Sequence, residues 1–130
     1  MGATLLGNKV ENTLGKGSHG STFGANPVCC AAAISNIERL TDTFLEEVMA
    51  KSKLIYDTLS NTKGVKSISG LGLMLGIETE KPAPEIIAKC IDRGLLVLSA
   101  KEKVRLLPPL NISDAELTKG LEILKGVIEE

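Results

Sequence analysis

The sequence predicts an α+β fold in which helices pack on one small, mostly antiparallel sheet. Three observations predict it. Segments follow the order helix, helix, strands, helix, strands, helix. The strand-like runs are short, apolar and punctuated by glycine and proline. The 130 residues are 43% hydrophobic, which is enough to bury a single core. Aromatic residues make up only 2%, and Phe23, Phe44 and Tyr56 are the sole large rings, so the core has to be built from Leu, Ile, Val and Ala.

Residues 1–26 are rich in Gly, Ser, Thr and Asn and read as a loop. Asn26 followed by Pro27 supplies an N-cap and a preset first helical residue, so a helix begins there and runs to Arg39. Thr43 to Glu46 matches a capping box, which implies either a kink near Thr41 or a second helix. That helix carries Leu45, Val48, Met49, Ser52, Ile55, Tyr56 and Leu59 at helical spacing and ends at Lys63-Gly64. Val65 to Ser69 and Leu71 to Glu78 read as two strands paired around Gly70. Pro82 to Arg93 reads as a helix stopped by Gly94. Leu95 to Ser99 and Val104 to Leu107 read as strands flanking the charged turn Lys101-Glu102-Lys103, and Pro108-Pro109 ends the second. Ser113 and Glu116 form a capping box with Ile112 placed to staple onto Leu117. The last helix then turns Leu117, Leu121, Leu124 and Ile128 inward.

Composition excludes several function classes. Fifteen basic and sixteen acidic residues give a net charge of -1, with no footprint for nucleic acid or an anionic membrane. No apolar run approaches the ~20 residues of a membrane span, and the first residues lack the pattern of a signal peptide. The three cysteines, Cys29, Cys30 and Cys90, are odd in number and include a vicinal pair, which fits a reduced, cytoplasmic setting. One histidine and no CxxC spacing leave no credible metal site.

The glycine loop admits several chemistries. Gly15-Lys16-Gly17-Ser18-His19-Gly20 satisfies GxGxxG, but no buried strand precedes it and no helix opens directly after it. Gly15 to Gly20 has Walker A spacing, yet Ser21 stands in place of the phosphate-binding lysine. A third reading uses the backbone N–H groups after Gly20 together with the hydroxyls of Ser21 and Thr22 as a cup for a phosphate dianion. Against it stands a plain surface loop whose hydroxyls cap local backbone. Arg105 likewise reads either as a carboxylate-binding guanidinium or as a strand arginine in a structural ion pair. His19 is better taken as structural than as an acid–base group, and Asn26 as a cap.

The segment His19 to Pro27 resembles the HGSTFGGNP segment of class III, fold type I pyridoxal-phosphate aminotransferases. Gly2-Ala3 resembles the end of the stretch that follows the Schiff-base lysine in that family. Ser69 to Gly76 resembles its RGKGLMIGIE hairpin. Arg93 to Val97 and Val104 to Leu110 resemble the KGLLV and IRLLPPL segments of the acetylornithine aminotransferases within it. The match keeps the family's order over essentially the whole chain.

The resemblance implies a division into residues 1–26, a remnant loop of the large cofactor-binding domain, and 27–130, the C-terminal small domain. It implies pyridoxal 5'-phosphate as cofactor. Ser21 and Thr22 would bind it, Thr22 donating to its phosphate across the interface of a homodimer, and Arg105 would bind the α-carboxylate of amino-acid and oxo-acid substrates. The reaction implied converts N-acetylornithine and 2-oxoglutarate to N-acetylglutamate semialdehyde and glutamate, a step of arginine biosynthesis. The Schiff-base lysine and the aspartate facing the pyridine nitrogen match no residue of this chain. Lys9 and Lys16 follow the lysine motif and lie in a loop with nothing evident to desolvate them. The isolated chain is therefore expected neither to transaminate nor to hold the cofactor well. Ornithine, succinylornithine and 4-aminobutyrate aminotransferases share the loop and are the alternative specificities. A non-catalytic binding domain derived from the fold is the alternative class. The chain departs from the family at Ala25, which replaces a glycine, and at Lys101, where glycine is common; Ala25 is harmless unless the backbone there needs positive φ.

Overall fold

A computed structural model describes residues 2–130. Its elements are α1 (Pro27–Ile37), α2 (Asp42–Leu59), β1 (Val65–Leu71), β2 (Met74–Thr79), α3 (Ala83–Asp92), β3 (Leu98–Ala100), β4 (Lys103–Leu106) and α4 (Asp114–Glu129). The chain forms two compact units, one ending at Thr41 and one spanning Asp42–Glu130. The expected junction at 26/27 marks where loop becomes helix, whereas the units divide later, between α1 and α2.

In the first unit the residues before Pro27 form turns without helix or strand among those described. Asn26 caps α1 as its position predicts, its Oδ1 accepting from the N–H groups of Val28 at 3.0 Å and Cys29 at 3.3 Å. The helix ends at Ile37, short of the expected Arg39, and Arg39 and Leu40 close tight turns onto Asn36 and Ile37. No residue of α1 is buried, and Val28, Ile34 and Ile37 are all exposed.

The second unit has two layers. Its sheet runs β1-β2-β4-β3, all antiparallel, and α2, α3 and α4 cover one face. Leu75 and Ile77 of β2 and Val104 and Leu106 of β4 point into the core by the two-residue alternation of a strand. They meet Val48, Ile55 and Leu59 of α2, Ile86 and Cys90 of α3, and Leu117, Leu121, Leu124 and Ile128 of α4. The terminal helix thus buries the expected stripe, and its capping box is present, with Glu116 N–H donating to Ser113 Oγ at 3.2 Å. Donors from Ser113 hold the Glu116 carboxyl below the usual carboxylate range.

Several expectations need correcting in position. Helix α2 already includes Asp42 and Thr43, so Thr43 is not its cap; the second helix exists, separate from α1. Its buried stripe is Val48, Ser52, Ile55 and Leu59, while Leu45 and Met49 are exposed. It stops at Leu59 rather than at Gly64, because Ser60 to Gly64 turn back toward β1 and a Cβ at Gly64 would lie 3.2 Å from the Ile128 carbonyl oxygen. The first hairpin turns at Gly72-Leu73, not around Gly70, which sits within β1 opposite Leu75. Strand β4 starts at Lys103, and β3 is confined to Leu98–Ala100.

Both hairpins are closed by two residues, Gly72-Leu73 and Lys101-Glu102, with φ +57° at Gly72 and +55° at Lys101. Positive φ at the first central position is the geometry in which glycine is preferred. Lys101 carries a Cβ where the first hairpin has none. Lys101→Gly is therefore expected to raise the unfolding free energy by about 0.5–1 kcal/mol despite the looser unfolded chain. A urea melt followed by far-UV circular dichroism checks this, and a lowered midpoint would contradict it.

Candidate active-site elements

The loop from Ser21 to Ala25 is a single tight turn, with Gly24 N–H donating to Ser21 O at 3.1 Å. A Cβ on Gly24 would come within 3.2 Å of the same oxygen, so the turn is closed around the absence of that side chain. Ala25 has φ +55°, the left-handed conformation that glycine adopts at no steric cost. The departure noted in the sequence therefore falls on a strained residue, next to the helix cap. Ser21 and Thr22 are exposed at the head of this turn, and neither hydroxyl has a hydrogen-bond partner among the described residues. The first turn of α1 offers few free donors, because Asn26 already takes Val28, Cys29 and Cys30 N–H.

Arg105 lies in the second unit on β4, between Gly76 of β2 and Leu98 of β3. It occupies the sheet face that no helix of this unit covers. On that face Ser69, Gly76, Arg105 and Leu98 form one cross-strand row. The next row, toward the Gly72 turn, begins with the exposed pair Leu71 and Met74. Arg105 Nη2 approaches Met74 Sδ at 3.7 Å. No carboxylate lies within 4.0 Å of its guanidinium among the described residues, so the structural ion pair considered from the sequence is not made. Arg105 also borders an open cavity of about 310 Å³ whose other walls are apolar apart from Glu116, among them Leu96, Leu98, Pro108 and Leu117.

Strand β4 begins early enough to bring Lys103 onto the same face as Arg105, two residues away. Its Nζ donates to Ser69 Oγ at 2.8 Å. The charged turn read at Lys101-Glu102-Lys103 is thus one residue shorter, and Lys103 belongs to β4, as the alternation Lys103, Val104, Arg105 signals.

Among the described residues the remaining reactive side chains assemble into no second centre. Cys90 is buried and burial pushes its thiol up, against the lowering influence of Arg93. Cys29 is exposed, Cys30 half-buried, and both are free thiols. No cluster of three metal-ligating side chains occurs among the described residues, and no helix among them is long and apolar enough to cross a membrane.

Comparison with protein families matches residues 1–128 to "Aminotransferase class-III". The chain belongs to the class III aminotransferases. As a member of that family it resembles acetylornithine aminotransferase from Haemophilus ducreyi, at 48% identity over the whole chain and 34% of the relative. It also resembles the acetylornithine aminotransferase of Lactococcus lactis, at 44% identity over 98% of the chain and 36% of the relative. Among solved structures it superimposes on the ornithine aminotransferase of Toxoplasma gondii with a TM-score of 0.78 and 25% identity, covering 92% of this chain and 30% of that one. That structure is described with partial occupancy of PLP at its active site. The chain spans about a third of the length of the curated relatives it matches.

Proposed function

We propose that these residues are the C-terminal part of an acetylornithine aminotransferase, transferring the amino group of N-acetylornithine to 2-oxoglutarate in a cytoplasmic homodimer. The carrying observation is Arg105, an arginine on the uncovered sheet face with no acidic partner within 4.0 Å among the described residues. A guanidinium left free in this way is suited to take a substrate carboxylate through two parallel charged hydrogen bonds. The acetylornithine name of the two relatives at 48% and 44% identity favours that donor over free ornithine.

Pyridoxal 5'-phosphate fits the donors present in one respect. The open hydroxyls of Ser21 and Thr22, with backbone N–H groups of their turn, suit a phosphate dianion. In the whole enzyme these two residues would anchor the phosphate, Thr22 reaching the site of a neighbouring subunit, while Arg105 fixes the substrate's orientation. When bound, the cofactor supplies the electron sink for the reaction. This chain's own residues bind and orient; none is placed to move the proton. Lys9 and Lys16 are exposed loop residues with no enclosing wall to activate them.

The isolated 130 residues are accordingly expected to show no transaminase activity. Titration with pyridoxal phosphate, borohydride reduction and intact-mass analysis should reveal no stoichiometric adduct, and a single-site adduct would refute the expectation. Amino-donor kinetics of the whole enzyme test the substrate, and a strong preference for free ornithine would overturn the acetylornithine reading.

A further inference from the structure

We infer that Met74 is a site of oxidation by hydroperoxides, and that its sulfoxide captures the Arg105 guanidinium and so weakens carboxylate binding. This rests on the reading of Arg105 as carboxylate binder and adds a modification site that lies outside that reading.

Met74 opens β2, in the row next to that of Arg105 on the uncovered sheet face. It is 54% exposed, so dissolved oxidants reach it, and Arg105 Nη2 lies 3.7 Å from its Sδ. A thioether sulfur is a weak acceptor, and the guanidinium makes no ion pair within 4.0 Å among the described residues. The contact therefore holds Arg105 loosely, which leaves its donors available to a carboxylate.

Oxidation replaces that weak acceptor with a strong one. A sulfur lone pair attacks one oxygen of hydrogen peroxide, and the S–O bond forms as the O–O bond breaks. The departing hydroxide takes the proton of the transferred hydroxyl and leaves as water. Sulfur loses two electrons and the peroxide gains them, giving a polar sulfoxide. Methionine is unbranched with three rotatable bonds, so an oxygen added from the solvent side can swing toward the guanidinium. From a sulfur 3.7 Å from Nη2 it reaches a charge-assisted hydrogen bond of about 2.7–2.9 Å along a bent path. Leu71, opposite Met74 in register, has no polar side-chain group to compete for that oxygen, and the Lys103 ammonium is already turned to Ser69. Part of the guanidinium fork that a carboxylate would take is then occupied.

The test treats the 130-residue chain with hydrogen peroxide and locates the added oxygen by peptide mass spectrometry. Met49 on α2, 55% exposed, is an internal comparison of matched accessibility. Met74 should gain one oxygen at least as fast as Met49. In nuclear magnetic resonance spectra the Arg105 Nε–H signal should shift on oxidation. Affinity for 2-oxoglutarate, read from the same signal, should fall about threefold, the scale of one exposed charged contact. Methionine sulfoxide reductases should restore both. Met74→Leu should abolish the peroxide effect although the free thiols of Cys29 and Cys30 are still present. Met74→Gln, with a carbonyl oxygen of similar reach, should show the lowered affinity without peroxide, and dispersed spectra verify the folding of both variants. Unmodified Met74 beside oxidised Met49 overturns the inference. So does an oxidised Met74 that leaves the Arg105 signal and the affinity unchanged, or a peroxide effect that survives in Met74→Leu. If the signal shifts on oxidation but the parent chain does not bind 2-oxoglutarate, the reading of Arg105 as carboxylate binder fails while the sulfoxide–guanidinium pair stands.

Discussion

Gly70→Ala is expected to remove several kcal/mol of stability from the Asp42–Glu130 unit, enough to leave the β1–β2 hairpin unpaired. Gly70 has φ +136°, a conformation that disfavours any side chain, and a Cβ built there lies 2.1 Å from the Met74 carbonyl oxygen and 3.0 Å from Leu75 Cα. Both obstacles are backbone, so no rotamer change relieves the conflict. The strand itself has to move. Strand β1 pairs only with β2, and movement there forfeits its whole ladder. Strain at such a position costs about 1–3 kcal/mol before the overlap is counted. Gly72→Ala is the control: its φ of +57° is also left-handed, but the nearest obstacle is Val48 Cγ1 at 3.8 Å. It should cost about 1 kcal/mol. Urea melts of the two variants separate the contributions, and equal midpoints would show that the overlap with Met74 is absorbed cheaply.

Ile55→Ala should cost about 3–4 kcal/mol. Ile55 has no exposed surface, lies in the buried stripe of α2 and borders the cavity of about 310 Å³. Truncating it merges the lost volume with a hollow already present, so neighbours such as Leu121 and Leu124 lack a nearby atom to collapse onto. Large-to-small changes are most damaging where the site cannot contract. Leu117→Ala on the same wall offers a comparison, since Leu117 retains 5% exposure and should cost less. A calorimetric scan or denaturant melt measures both. An Ile55→Ala loss below about 1 kcal/mol would mean that α2 shifts inward to fill the space.

What the sequence disclosed was whatever is decided within a few residues. Asn26-Pro27 and the Ser113/Glu116 box act through their own backbone N–H groups, and both helix starts fall where those residues predict. The inward stripe of α4 follows from periodicity alone. Strand ends were less legible because cross-strand contacts set them. Gly70 reads as a turn glycine, yet its missing Cβ makes room for the partner strand, and the turn moves to Gly72-Leu73. The same difficulty hid Lys103, whose membership of β4 depends on pairing with Ala100. Leu45 and Met49 repeat at helical spacing but stay exposed, because only part of that stripe faces the sheet in this unit. Of the candidate site, the hydroxyl pair Ser21 and Thr22 was visible as chemistry, and motif resemblance gave it a ligand. Arg105 could be named from its motif, but its freedom from acidic neighbours is a three-dimensional fact.

The bulge between Val65 and Ser67 and the brevity of β3 together determine how this sheet behaves toward other chains in concentrated solution. An open sheet has two borders whose unpaired N–H and C=O groups can recruit a stranger's strand. Here one border is bent by the bulge and carries Lys66, and the other is only three residues long. Neither provides the long, flat template on which fibrillar assembly propagates. Self-association of this chain is therefore expected to be side-chain-driven and reversible on dilution, rather than ordered growth through the backbone.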